Sequence, residues 1–360
     1  MSHLSKLQSA MKAAHTEAIV VSSEVNQRYL SGLNYTDGYV VVLPEKAFLL
    51  ADFRYIEDAR TQVNASEFEI VMPDRSMLAY VAAILKDHGV KVALFEEATL
   101  SYSLMERFKA AFEGVELQSG ASAMIDGLRL FKDAAELEKI ARAQKITDDA
   151  FAHILNFITP DRTEVEVALE MEFFMRAHGS EGIAFDIIAV SGTQSARPHG
   201  TPRPVKLEKG IFTTDFGAKV DGYCSDMTRT IVIGKADEEI KKVYNTVLKA
   251  QTAAIDHLKV GMPCFEADKV ARDIIDNAGY KGLFGHSLGH GVGLYIHEAP
   301  RFAGSVPASE LLQPGHVVTV EPGIYIEGKY GCRIEDLIAV LEDGTIHDFT
   351  KSPKELIEIC

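Results

Sequence analysis

The chain has 360 residues, a formal net charge of −15, 47% hydrophobic and 25% charged residues. This length exceeds one ordinary core and makes two domains the expectation, while the acidic balance argues against a nucleic-acid partner, which would select a basic face. No apolar run approaches the roughly 20 residues of a membrane span, the N-terminal MSHLSKLQSAMKAAHTE lacks a signal-peptide apolar core, and Cys224, Cys264, Cys332 and Cys360 follow no disulfide or metal-knuckle spacing, so a reduced cytoplasmic protein with no membrane partner is expected.

Residues 1–122 read as an α/β domain. Strands are predicted at 17–22, 38–44, 47–52, 68–72, 90–95 and 114–119, with helices near 54–62, 76–87 and 101–112 between them. The segment 123–133 has little periodicity and reads as a linker. Beyond it, 134–360 reads as an α+β domain. Leu137, Ile140, Ala141, Ile154, Leu155 and Ile158 keep helical spacing up to the stop at Pro160. T-E-V-E at Thr163 opens a second helix to about Ala177 in the manner of a capping box. Two more helices are predicted at 237–258 and 264–278, and the rest alternates as antiparallel strands do.

Five potential metal ligands, Asp215, Asp226, His290, Glu321 and Glu335, lie in this second part, within TTDFGAKV, GYCSDMTRT, HSLGHGVGLYIHE, VTVEPGIYI and CRIEDL. Asp221-Gly222 is a two-residue hairpin signal. Counting outward pairs Gly217 with Asp226, which leaves Asp215 on the same face and diagonal to Asp226, about 7–8 Å away. Glu321 and Glu335 are symmetric about Gly328, so a hairpin centred there sets them opposite one another, with Arg333 on the same face. Each residue alone has a bland reading, a turn aspartate or a loop E-P-G; the ordered set of five does not. Four carboxylates and one imidazole form an oxygen-rich set that two divalent cations would neutralise and one would not. The flanking glycines disfavour a helix at His290, no HExxH occurs at His297-Glu298, and no phosphate-loop pattern is matched. Strand parity would also put Cys224 on the face of Asp226; a small buried hydrophobe is the favoured reading, and a thiol whose oxidation impairs activity is the alternative.

These segments, with SGTQSARPHG, resemble the proline-specific "pita-bread" metallopeptidases, the prolidase and aminopeptidase P group, and the first part, including ADFRY at 51–55, resembles their creatinase-type N-terminal domain. The resemblance implies a curved antiparallel sheet in the C-terminal domain and two metals per subunit: Asp226 and Glu335 bridging, Asp215 chelating one, His290 and Glu321 completing the other. It implies water as nucleophile, Glu321 as proton shuttle, His199 and His297 as catalytic substrate-side histidines, and His286 beside the proline. Arg333 would support the ligands and substrate. Tyr295 stands where many relatives carry an acidic residue, and parity with His297 would place it at the pocket rim. The expected activity is cleavage of Xaa-Pro in dipeptides (prolidase), the alternative being aminopeptidase P on longer peptides. A metal-free creatinase-like hydrolase, a methionine aminopeptidase or a non-catalytic binding module would lack ligands or the N-terminal domain. Manganese suits the oxygen-rich set, with cobalt, zinc or iron also compatible. A homodimer is implied by the family alone.

Overall fold

The computed structural model describes residues 1–359 and falls into two units, Met1–Arg129 and a second that begins at Leu130. In the first, six strands form one sheet: β1 (Ala18–Val21), β2 (Tyr39–Leu43), β3 (Lys46–Leu50), β4 (Glu69–Val71), β5 (Val92–Phe95) and β6 (Glu116–Ser119), in the order β4-β3-β2-β1-β5-β6. β1, β2 and β3 pair antiparallel, and the outer strands add in parallel. Val20, Val41 and Leu50 bury against Leu78, Val81, Leu85 and Phe108. These come from α4 (Met77–Asp87) and α5 (Tyr102–Ala111), which with α3 (Ile56–Gln62) are the three helices expected from periodicity.

Three further helices were not anticipated: α1 (His3–Ala13), α2 (Glu24–Ser31) and α6 (Ala121–Arg129). Segment 123–133, read as a linker, is therefore helical as far as Arg129. Its buried residues Ala121, Ser122, Ile125 and Arg129 do keep helical spacing, but only Ile125 is strongly apolar, so the pattern carried little hydrophobic signal.

The second unit begins with α7 (Ala134–Phe157) and α8 (Glu164–Ala177), each started by a capping box, at Asp133 with Glu136 and at Thr163 with Glu166. They cover a sheet ordered β20-β12-β9-β8, made of β8 (Ile188–Ser191), β9 (Gly210–Phe216), β12 (Met227–Ile233) and β20 (Glu358–Ile359). Phe151, Ile154, Val167 and Met171 pack on Phe212, Phe216, Met227 and Ile231. Short strands β7 (Gly182–Ile183), β10 (Ala218–Val220) and β11 (Tyr223–Cys224) form a separate three-stranded sheet in the order β11-β10-β7. A second helix pair, α9 (Glu238–His257) and α10 (Cys264–Ile275), covers the sheet β14-β13-β15-β18-β19. Its strands are β13 (Gly289–Gly291), β14 (Glu298–Phe302), β15 (Val317–Val320), β18 (Asp336–Val340) and β19 (Ile346–Asp348), and β16 (Gly323–Ile326) pairs with β17 (Tyr330–Arg333) as a separate hairpin. Val247, Ala250, Ala267 and Ala271 meet Val318, Val320, Ile338 and Val340.

Period-2 alternation then decides what faces away from the helices. Phe212 and Phe216 point to α7 and α8, so Asp215 points away; Val318 and Val320 point to α9 and α10, so Glu321 points away.

Both hairpins have the expected register. Val220 pairs with Tyr223 across Asp221-Gly222, which take φ 49° and 86°, and Met227 pairs with Phe216 further along, so the intervening step sets Gly217 against Asp226. Ile326 pairs with Tyr330 around Gly328, and Val320 with Asp336, so Glu321 faces Glu335. Each carboxylate of these facing steps sits where the ladder is interrupted. A Cβ on Gly217 would lie 1.9 Å from the Ser225 carbonyl oxygen, so only glycine admits this approach. Gly222→Val should lower stability by about 1–2 kcal/mol, because a β-branched residue resists positive φ, and should weaken metal binding through the Asp226 register. Thermal denaturation with metal titration checks this; unchanged stability and affinity would show that the turn does not set the register.

Candidate metal centre

All five predicted ligands converge on one cavity of about 610 Å³ within the second unit. Ligand atoms of Asp226, His290 and Glu335 lie within 4.8 Å of one another, and all three residues are buried. His290 Nε2 is 3.3 Å from Glu321 Oε1 and 3.6 Å from Asp226 Oδ2. Its Nδ1 lies 3.0 Å from the Gly291 carbonyl oxygen, which can only accept, so the proton sits on Nδ1 and the Nε2 lone pair faces the carboxylates.

The carboxylates are poorly compensated. Burial and the charges of Glu335, Asp215 and Glu321 push the Asp226 carboxyl well above its ordinary range; burial with Glu321 and Asp215 does the same to Glu335. Burial also raises Asp215, although Arg333 Nη2 donates to its Oδ2 at 2.6 Å. Asp215 Oδ1 is buried without any hydrogen-bond partner. Glu321 differs: burial raises it, but the neighbouring His290, His286 and Arg333 outweigh burial and hold it below its ordinary value. An orphaned oxygen, a lone pair aimed inward and carboxyls that resist ionisation all fit divalent cations, whose charge would remove each defect.

Arg333 is the hub of the supporting contacts. Its Nε donates to Thr228 Oγ1 at 2.9 Å, and Thr228 donates on to Glu335 Oε2 at 2.7 Å. Its Nη1 donates to the Tyr325 hydroxyl at 2.7 Å. That hydroxyl lies 2.9 Å from His286 Nε2, whose Nδ1 is 2.8 Å from the Ser287 carbonyl oxygen, so Tyr325 donates to His286 and His286 to Ser287. Thr319 Oγ1 donates to Glu321 Oε1 at 3.2 Å. Orientation of one ligand by Arg333 was expected; its link through Thr228 to a second was not.

His199, His286 and His297 all line the cavity. The His297 ring stands 4.4 Å from that of His290, edge to face. Burial, then His290 and Arg301, hold the His297 imidazole below its ordinary value, which favours the neutral form. Tyr295 is different: the wall here is built by Ile296 and His297, and Tyr295 is not among the lining residues. Residues 293–297 form a bend, so strand parity does not apply to them. Cys224 also departs from expectation. Its thiol points to the Leu294 carbonyl at 3.8 Å, away from the cavity lining, and burial pushes it up to about 12, which leaves little reactive thiolate.

Residues 138–342 match the sequence model of metallopeptidase family M24, and residues 3–131 match that of the Creatinase/Prolidase N-terminal domain. The chain belongs to metallopeptidase family M24. Its first unit is a creatinase-type N-terminal domain and its second has the pita-bread fold of M24 enzymes. It is 41% identical to the uncharacterized peptidase YqhT of Bacillus subtilis, over 98% of this chain and 99% of that protein. The solved Xaa-Pro dipeptidase from Bacillus anthracis superposes with a TM-score of 0.93 at 42% identity, covering 99% of each chain. The X-Pro aminopeptidase from Thermotoga maritima gives 0.89 at 34% identity, covering 95% of this chain and 97% of its own.

In this M24 chain the sequence reading missed Thr228, Thr319, Tyr325 and Arg301. Thr228 and Thr319 each lie two residues from a predicted ligand, so strand parity could have found them. Arg301 lines the cavity because β14 sets it opposite His290, a pairing that no local signal announces.

The raised Asp226 and Glu335 carboxyls carry a pH signature for the metal-free protein. Groups held above their unfolded values contribute stability below the ordinary carboxylate range, and that contribution is lost as pH rises through the folded values. After chelation the melting temperature should therefore drop between about pH 5 and about pH 8, and added divalent cation should restore it most at the higher pH. A chelation effect of equal size at both pH values would contradict the repulsive cluster.

Proposed function

We propose that this chain hydrolyses the Xaa-Pro bond of dipeptides, using two divalent cations held by Asp215, Asp226, His290, Glu321 and Glu335. The observation that carries the dipeptide reading is Arg301. Arg301 lines the cavity, and its guanidinium forms no ion pair or hydrogen bond among the described residues. It pairs across the ladder with His290, so the two side chains leave the sheet on one face, with Cβ atoms about 5 Å apart. In a dipeptide the free carboxylate lies one residue beyond the scissile carbonyl, within reach of such an arginine. Phe185, Pro198, Pro202 and Ile296 give the cavity apolar wall for the proline ring.

When bound, the cations supply Lewis acidity toward the scissile carbonyl and the attacking water. Glu321, the carboxylate held ionised, accepts the proton of that water and returns it to the leaving nitrogen, which in proline has no N–H of its own. Neutral His297, together with His199, hydrogen-bonds the substrate, His286 bounds the proline side, and Arg333 fixes Asp215 directly and Glu335 through Thr228. The oxygen-rich set favours manganese. The working form is a homodimer in the cytoplasm, and the buried free thiols of Cys224, Cys264 and Cys332 are in keeping with that reducing compartment.

Likeness to the Thermotoga maritima aminopeptidase keeps removal of the first residue from Xaa-Pro-Yaa peptides as the second reading. Metal-loaded protein should cleave Xaa-Pro dipeptides in preference to the tripeptides. Arg301→Ala should raise KM for the dipeptide about tenfold or more, the scale of one charge-assisted hydrogen bond, and leave tripeptide kinetics nearly unchanged. Equal loss on both substrates would remove Arg301 as the carboxylate anchor. Preference for the tripeptide favours the aminopeptidase, and no hydrolysis of either peptide would end the proposal.

A further inference from the structure

We infer that Glu164 is a positioning residue for the cavity wall that bears His199, its one carboxylate clasping residues 192–202 at both ends. The inference rests on the proposed peptidase reading and extends it to a residue outside the cavity lining.

Glu164 is the first residue of α8 and is 0% exposed. Its Oε1 accepts from the Ser191 backbone N–H at 2.8 Å, from Ser191 Oγ at 2.8 Å and from Arg203 Nη2 at 2.6 Å. Its Oε2 accepts from the Arg203 backbone N–H and from Arg203 Nε, both at 2.9 Å. Ser191 ends β8 and Arg203 follows Pro202, so these five bonds close the loop between them at its base. That loop runs through a 3₁₀ turn at Gly192–Ala196 and then supplies Pro198, His199, Gly200, Thr201 and Pro202 to the cavity.

The helix does not need this carboxylate. Thr163 and Glu166 already complete the capping box: the Thr163 side chain accepts from the Glu166 N–H at 3.1 Å, and Glu166 accepts from the Thr163 N–H at 2.7 Å. A fully buried charge is retained only where its partners satisfy it, and here every partner lies at the loop's base. Burial opposes ionisation of Glu164, but Arg203 and the Ser191 donors outweigh it and hold the carboxyl below its ordinary value. The far side of the loop is tied to the metal centre's own support. Gly331 N–H donates to Ser195 Oγ at 3.0 Å, and Arg333 Nη1 donates to the Pro198 carbonyl at 3.3 Å. With base and inner side both fixed, the His199 segment is held relative to Asp215, which Arg333 also grips. Releasing Glu164 loosens the base while the ties at Ser195 and Pro198 remain, and displacement of a substrate contact by about 1 Å is enough to change kinetics severalfold or more.

The test uses metal-loaded full-length protein with Glu164→Gln, Arg203→Met and the double variant. Backbone amide exchange across 192–202 should speed up about tenfold or more in each variant while exchange in α9 and α10 stays unchanged. KM for an Xaa-Pro dipeptide should rise about tenfold, with kcat within about threefold and metal content unaltered. The double variant should be no worse than the worse single one, because both remove the same clasp. Arg203→Met carries the same expectations should Glu164→Gln fail to fold. Unchanged exchange over 192–202, an unchanged KM, or loss of metal in step with activity would each overturn the inference. A wild-type protein inactive on every Xaa-Pro peptide would instead overturn the proposed function, with the exchange measurement still deciding on the clasp.

Discussion

Four carboxylates forced into one buried cavity are the constraint on which the second unit depends. Two like charges about 4 Å apart repel by about 4 kcal/mol at the effective dielectric of a protein near its surface. Several such pairs rival the whole stability margin of about 5–15 kcal/mol that a domain commands. The guanidinium of Arg333, paired with Asp215, is a cation that the chain itself sets among them. The protein answers in part by resisting ionisation at Asp226 and Glu335, and in part by leaving Asp215 Oδ1 and His290 Nε2 aimed at space that a cation would fill.

The fold makes this arrangement rigid by placing it between two helix-covered sheets. α7 and α8 occupy one face of the first and α9 and α10 one face of the second, and alternation along β9 and β15 sends Asp215 and Glu321 to the faces left over. Both hairpins keep a single register through the interruption at which their carboxylates sit. A ladder break frees a side chain to turn toward a ligand without shifting the strands on either side, as bulges near active sites do. The web from Arg333 through Thr228 and Tyr325 then ties ligands, His286 and the His199 loop into one hydrogen-bonded body.

Much of this was legible in the chain. The approach of the two carboxylate pairs, both hairpin registers and the four long helices follow from Asp221-Gly222, from symmetry about Gly328, and from apolar spacing. Local rules reach that far because a two-residue turn or a helix is specified by its own residues. They fail where the partner is distant in sequence. Arg301 enters the cavity through pairing with His290, Glu164 reaches Ser191 and Arg203 across some tens of residues, and α6 hides its spacing behind Ala121 and Ser122. Tyr295 and Cys224 show the opposite failure, parity carried beyond the strand that justified it: 293–297 is a bend, and the Cys224 thiol turns toward Leu294.

On the proposed function, these five residues hold two cations and not one, which anomalous diffraction from crystals grown with manganese would decide. Two peaks about 3.5–4 Å apart, both between Asp226 and Glu335, with Asp215 on one and His290 and Glu321 on the other, are the predicted result. A single peak, or a second one placed away from the Asp226 and Glu335 carboxylates, would contradict it.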